Sequence, residues 1–283
     1  MRTILITIIF LVFFSCNSEK EISPIFYEVQ SENGEVYILG SFHSLDESIY
    51  PLPNYIIEKF NDSEEFFMEL KPGNISKQKQ DDTFELKNHV SEETLQLVKN
   101  VADDLLIPSN VLLQLQPAEI IQEVEKNELN KIGFKNSQGI EAYFHYLARK
   151  RNIKIDGFEE YSKIMEKVQK LDSIETEKRL VYYLNNRKVI AKETKQLVEY
   201  WKFGNETGLL EKIELFTSDS PKQKDTLLYK RNRIITDKIV TMLEEGRKIF
   251  IVVGAGHIIG NDNIIEQLEK KGYIVKKIEN AIQ

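Results

Sequence analysis

Two apolar runs, one near each end of the chain, finish on the same pattern. V-Y-I-L-G-S-F-H closes at His43, and I-F-I-V-V-G-A-G-H closes at His257. Each run is short, rich in β-branched and aromatic residues, and stopped by glycine, the signature of a buried strand. Most of what lies between has helical periodicity. A strand cannot bury its two faces alone, and the two ends of the chain can join into one sheet. This feature points to an α/β fold: a central mixed sheet formed from N- and C-terminal segments, with a large helical insert or cap.

The remaining elements are set by local signals. Residues 25–30 and 35–39 flank S-E-N-G, whose Asn33-Gly34 pair predicts a hairpin. Residues 55–60 predict a short helix and 65–70 (E-F-F-M-E-L) a compact apolar strand. Ser91 with Thr94 predicts a helix start, and Pro108 and Pro117 punctuate the helical stretch beyond it. Helices are predicted over 139–152, 174–200 and 227–245, the last stopped by Gly246. Strands are predicted over 154–157, 248–253 and 273–278, with a helix over 261–271 that makes a β-α-β unit at the C-terminus. No repeat or second composition break appears, so residues 25–283 read as one domain.

The glycines of G-A-G-H-I-I-G (residues 254–260) allow a second reading. A strand, a glycine loop and a helix start resemble a dinucleotide cradle, with Glu279 where a ribose-binding acid would sit. Two observations oppose it. The loop lies too near the end of the chain for a dinucleotide fold to follow, and His257 protrudes where backbone must approach pyrophosphate. The repeat of glycine, two residues, then histidine at His43 has no place in that reading.

It has a place in a two-histidine site. Ligands of open α/β sheets bind beyond the carboxyl ends of strands. A glycine there leaves room for the following histidine to face the crevice. Imidazole with carboxylate binds Zn, Mn, Co or Fe, or works as acid and base. Glu69 is an acid inside an otherwise apolar strand, and burying it costs several kcal/mol unless it is paired or bound to a metal. Glu159 follows a short strand and Gly157. Arg231 and Asn232 lie on the helix before the last apolar strand. The other two histidines, His89 in a polar segment and His145 on an amphipathic helix, read as structural.

The N-terminus adds an address. Arg2, an apolar stretch over 4–14 and Ser15-Cys16 form a secretory signal, too short to span a membrane. Cys16 is the only cysteine, so no disulfide forms within one chain. The arrangement resembles a lipoprotein signal over residues 1–15, with Cys16 the lipidated first residue and 16–24 a polar tether. The expected location is the cell envelope, lipid-anchored to a bacterial membrane, the outer one where the cell has two. With 38 basic against 45 acidic side chains the net charge is −7. A mildly acidic chain without a Lys/Arg cluster argues against nucleic acid as a partner.

Taken together, Val36–Pro53, F-F-M-E-L, G-I-E-A-Y-F-H-Y-L-A, I-D-G-F-E, K-R-N and V-V-G-A-G-H-I-I-G resemble the TraB/GumN family, which includes Tiki-type membrane-tethered proteases. The resemblance runs through nearly all of the chain after its signal, and the paired glycine–histidine motifs carry most of it. Phe158 stands where many members have Leu. The resemblance implies a metal-dependent hydrolase, a peptidase acting on a peptide or protein substrate, with Mn, Co or Zn as its divalent ion. By the same resemblance His43, Glu69 and His257 would hold the ion, Glu159 would be general base or a further ligand, and Arg231 and Asn232 would steady an oxyanion or the substrate. The rival expectation is a surface lipoprotein that binds haem, metal or peptide without catalysis.

Overall fold

The computed structural model describes residues 21–72, 84–169, 173–217 and 224–279. Cys16 and the signal lie outside them. Six strands form one sheet: β1 (Phe26–Gln30), β2 (Glu35–Ser41), β3 (Glu65–Leu70), β4 (Lys154–Glu159), β5 (Lys248–Gly254) and β6 (Ile274–Lys277), in the order β4-β3-β5-β2-β1-β6. The two runs that end in histidine are β2 and β5. They lie side by side in parallel, with Ser41 opposite Gly254. Strand β3 flanks β5 in parallel, and β4 flanks β3. Strand β1 is antiparallel to both neighbours, which makes the sheet mixed.

Strand β6 corrects the nucleotide geometry. It runs in the direction of β5 but lies beyond β2 and β1. The strand that follows the glycine loop therefore does not lie beside β5, as the second strand of a dinucleotide fold lies beside the first. Glu279, just past β6, pairs with Lys277 at the sheet edge.

Ten helices are described: α1 (Asn54–Asp62), α2 (Glu92–Leu105), α3 (Ser109–Leu113), α4 (Pro117–Lys131), α5 (Ile140–Arg151), α6 (Tyr161–Gln169), α7 (Ser173–Lys202), α8 (Glu206–Thr217), α9 (Lys230–Glu244) and α10 (Ile264–Lys270). Predicted and observed bounds agree within a few residues. Ser91 caps α2 as its sequence suggests, its Oγ accepting from the Thr94 amide. The main departure is α10, which starts later than the sequence pattern indicates. Gly260 and Asp262 adopt positive φ, and Asn263 supplies the cap. The glycine loop therefore does not open directly onto a helix.

All of Ile249–Val253 is buried, as for a strand covered on both faces. Helices α1 and α5 bring Phe60 and Phe144 onto Phe250, with ring centroids 5.4 and 4.7 Å away. Helix α9 adds Ile235, Ile239 and Leu243 to the same core. A separate apolar cluster joins α2, α3, α4 and α7 through Val98, Leu112, Val124 and Leu180. This is the helical cap. Arg187 of α7 ties it together by donating to Glu128 of α4 at 3.0 Å and to Asp104 of α2 at 2.5 Å.

Candidate functional site

The carboxyl ends of β2, β3, β4 and β5 lie together, and each delivers one expected residue. Glu69 sits at the end of β3 and Glu159 at the end of β4. His43 follows β2, and His257 closes the short turn after β5. The glycines of the two histidine motifs work by making room. Gly40 is not among the residues with positive φ, and Gly254 has φ −50°. A Cβ on Gly40 would meet Ile258 Cδ1 at 2.7 Å and Ala255 Cα at 3.3 Å, so the second motif packs onto the first. The Gly254 amide donates to Glu69 Oε2 at 3.0 Å.

His257 is buried, with 6% of its side chain exposed. Its Nδ1 lies 2.6 Å from Asn232 Oδ1, and Asn232 Nδ2 donates to the Asp262 carbonyl at 2.9 Å. The second bond fixes the amide, so Oδ1 faces the ring as an acceptor and Nδ1 carries the proton. Nε2 is left pointing at Glu69 Oε1, 3.5 Å away.

Arg231, one residue earlier on α9, lies between the two strand-end acids. Its Nε donates to Glu159 Oε2 at 2.6 Å, its Nη2 to Glu69 Oε1, and its Nη1 to the Leu227 carbonyl at 3.0 Å. Leu227 belongs to a widened turn, Asp225–Tyr229, that runs into α9. All three side chains are buried. Burial alone would push the Glu69 carboxyl up. The charges of His257, Arg231 and His43 outweigh it and hold the group well below the usual carboxylate range.

His43 is the open member of the set, with 64% of its side chain exposed. Its Nδ1 lies 3.0 Å from Glu141 Oε1 in the first turn of α5. The same oxygen accepts from Ser41 Oγ, while Glu141 Oε2 is buried with no hydrogen-bond partner. Glu141 raises the pKa of the imidazole, and Glu69 and Glu125 add in the same sense. The cleft around the ring admits water, which screens part of that attraction. The pairing is set by backbone packing. The Ile140 amide donates to the Phe42 carbonyl at 3.2 Å, and a Cβ on Gly139 would overlap the His43 carbonyl oxygen.

The site therefore holds two histidine–acid pairs, His257–Glu69 and His43–Glu141, at the ends of adjacent strands. By the family resemblance His43, Glu69 and His257 would surround one ion. Among the described residues no three His, Cys, Asp or Glu side chains gather at a point that could hold a metal. His43 is paired through Nδ1 with Glu141. The donors nonetheless suit a divalent ion of intermediate softness in kind, and His257 Nε2 faces the cluster. Two further expectations shift. Glu159 faces Arg231, and its Oε1 lies 3.7 Å from Lys167 Nζ, so cations meet both of its oxygens. Asn232 directs its amide to His257 and Asp262, and Arg231 directs its guanidinium to Glu69 and Glu159, rather than to the open cleft. Of the other histidines, His89 stacks on Phe84 with centroids 4.6 Å apart.

Glu141 is the site residue that lies within a recognisable motif but carries no role by sequence alone. Its signal is an acid at the start of an amphipathic helix whose apolar residues, Ile140 and Phe144, face the core. That pattern also describes a routine helix N-terminus, which is why it does not stand out.

A mixed α/β sheet with paired glycine–histidine turns at the ends of two adjacent parallel strands defines the class of site. The sequence pattern of the TraB/PrgY/gumN family matches residues 25–277, and the chain belongs to this family. A metalloprotease TIKI homolog from Amphimedon queenslandica is 33% identical over 75 residues, 26% of this chain and 14% of that protein. Metalloprotease TIKI2 from Xenopus tropicalis is 34% identical over 55 residues, 19% of this chain and 10% of that protein. The matched stretches thus span a small part of these relatives. No solved structure gives a significant match.

Proposed function

We propose that this chain is a metal-dependent hydrolase acting on a peptide or protein substrate. The observation that carries the reading is the presence of two imidazoles and two buried carboxylates at the ends of adjacent parallel strands. Membership of the TraB/PrgY/gumN family and the local likeness to TIKI metalloproteases support it. His43, Glu69 and His257 would hold a divalent ion of the Mn, Co or Zn type. Such an ion supplies a Lewis acid and a water that ionises near neutral pH.

The chain's own groups prepare the place. Arg231 brings a counter-charge to the buried carboxylates of Glu69 and Glu159, which would be costly to bury alone. Asn232 fixes the His257 ring. Substrate arrives from the His43 side, because His43 is open while His257 and Glu69 have only 6% and 10% of their side chains exposed. The roles of Glu159, Arg231 and Asn232 are thus to position Glu69 and His257.

The lipoprotein-like N-terminus supports attachment to a bacterial envelope membrane through Cys16. Among the described residues no helix is long and apolar enough to cross a membrane. Replacing Cys16 by Ser should release the chain from the membrane fraction, and continued sedimentation with membranes would sink that assignment. The hydrolase reading is tested by incubating the purified chain with a peptide library, with and without chelator. Cleavage that chelator abolishes and Mn, Co or Zn restores supports it. Haem absorption on adding haemin, with no peptide cleaved, would support the non-catalytic binding alternative instead.

A further inference from the structure

The two site histidines are held by the same device built from different residues. On His257, Asn232 Oδ1 takes Nδ1, and Asn232 is itself fixed by the Asp262 carbonyl. On His43, Glu141 Oε1 takes Nδ1, and Glu141 is itself fixed by Ser41 Oγ. From this geometry we infer that Glu141 is the positioning residue of His43: it holds the ring by Nδ1 and presents Nε2 to the cleft, as Asn232 does for His257. The inference rests on His43 being a site residue, as proposed above, and assigns a role to a residue outside the expected set.

Three observations carry it beyond a chance ion pair. The first concerns the bare oxygen. Both Ser41 and His43 fall on Oε1, and Oε2 is buried without a partner. An unsatisfied buried acceptor costs about 1–3 kcal/mol, and buried polar groups are nearly always satisfied. A carboxylate retained only to stabilise the fold would be expected to use both oxygens. The second concerns the backbone. Gly139 packs against the His43 carbonyl so closely that no side chain fits, and the next amide binds Phe42. The backbone segments that carry ring and carboxylate are thus clamped together. The third concerns exposure. His257 is enclosed by its neighbours as well as held by Asn232, whereas His43 is open to solvent and has no such cage. The open histidine needs the stronger tether, and it has the charged one.

Nuclear magnetic resonance of the ring protons, alongside titration with Co2+, tests this on the full chain. In the wild type the His43 Nδ1–H should appear as a downfield, slowly exchanging resonance. It should vanish in Glu141→Ala while the corresponding His257 resonance stays, which shows that the site is still folded. Co2+ affinity should fall about 10- to 100-fold in Glu141→Ala, the usual effect of removing a partner that orients a metal-binding histidine. Glu141→Gln keeps an oxygen acceptor in place, as Asn232 does for His257, and should recover most of both signals. A Glu141→Ala protein that retains the His43 resonance, or that binds Co2+ as tightly as the wild type, overturns the inference. Should the wild type bind no Co2+, the metal-dependent reading fails, and the Nδ1–H resonance decides the role of Glu141 by itself.

Discussion

Arg231 donates through Nε to Glu159 at 2.6 Å and through Nη2 to Glu69, so one guanidinium neutralises the acids of two neighbouring strands. Removing it leaves two buried carboxylates without a counter-charge. Arg231→Ala should lower stability by about 3–5 kcal/mol in urea denaturation. Adding Glu159→Gln to that variant should restore part of the loss, because one of the uncompensated charges is then gone. Equal stability of the single and double variants would contradict the pairing. Arg231→Lys should not rescue, since an ammonium cannot span both acids as the planar fork does.

Asn232 offers a cleaner separation of function from fold. Asn232→Ala leaves the His257 ring without its Nδ1 partner and the Asp262 carbonyl without its donor. The expected loss is about 10- to 100-fold in metal affinity, with a stability cost of about 1–3 kcal/mol. Calorimetric metal titration checks the first and thermal denaturation the second. A variant with unchanged metal affinity would show that ring orientation does not depend on Asn232.

Gly139 tests how His43 is placed. A Cβ there would overlap the His43 carbonyl oxygen, which is backbone and cannot swing away. Gly139→Ala should therefore displace the 42–45 segment, at a cost of about 1–3 kcal/mol. It should also weaken the His43–Glu141 pair while leaving His257 in place. A crystal structure of the variant with His43 unmoved would rule this out.

Acid should unfold the protein partly through Glu65, away from the site. Arg247 meets it with two bonds of 2.7 and 2.8 Å, and Lys154 adds a third contact at 2.7 Å. The bonds from Arg247 hold the Glu65 carboxyl below the usual range, with burial opposing them. A pKa lowered by folding contributes stability that is fully present above the unfolded value. That contribution is lost as pH falls from about 4 through the folded value. Glu65→Gln should be less stable than the wild type at neutral pH, and the gap should close as the pH drops below that range. A constant gap across the acid limb would refute the assignment.

What the sequence disclosed and what it hid divide along physical lines. Strands β2, β3 and β5 were legible because short apolar runs stopped by glycine have few other solutions. That the two ends could share one sheet was legible too, and the structure shows that β2 and β3 flank β5. The buried state of Glu69 was suggested by its apolar neighbours, but that of Glu159 and Arg231 was not, since an acid or arginine beside other charges usually faces solvent. Only the fold shows that each is the other's counter-ion. The place of β6 was hidden because its neighbour is β1, at the far end of the chain, and such long-range pairing leaves no local signal. The motif glycines were legible as a pattern but not in cause: they clear space for packing rather than adopting a turn that only glycine allows. Glu141 was hidden because an acid in the first turn of a helix is commonplace, and its partner lies on a distant loop.

The central claim is that His257, with His43 and Glu69, belongs to a metal site. Elemental analysis of the purified chain, alongside a His257→Ala variant whose fold is confirmed by circular dichroism, tests it most directly. The account predicts a single Mn, Co or Zn ion per wild-type chain and none in the variant. Full metal content in His257→Ala, or a wild type that takes up no divalent ion when it is supplied, would contradict it.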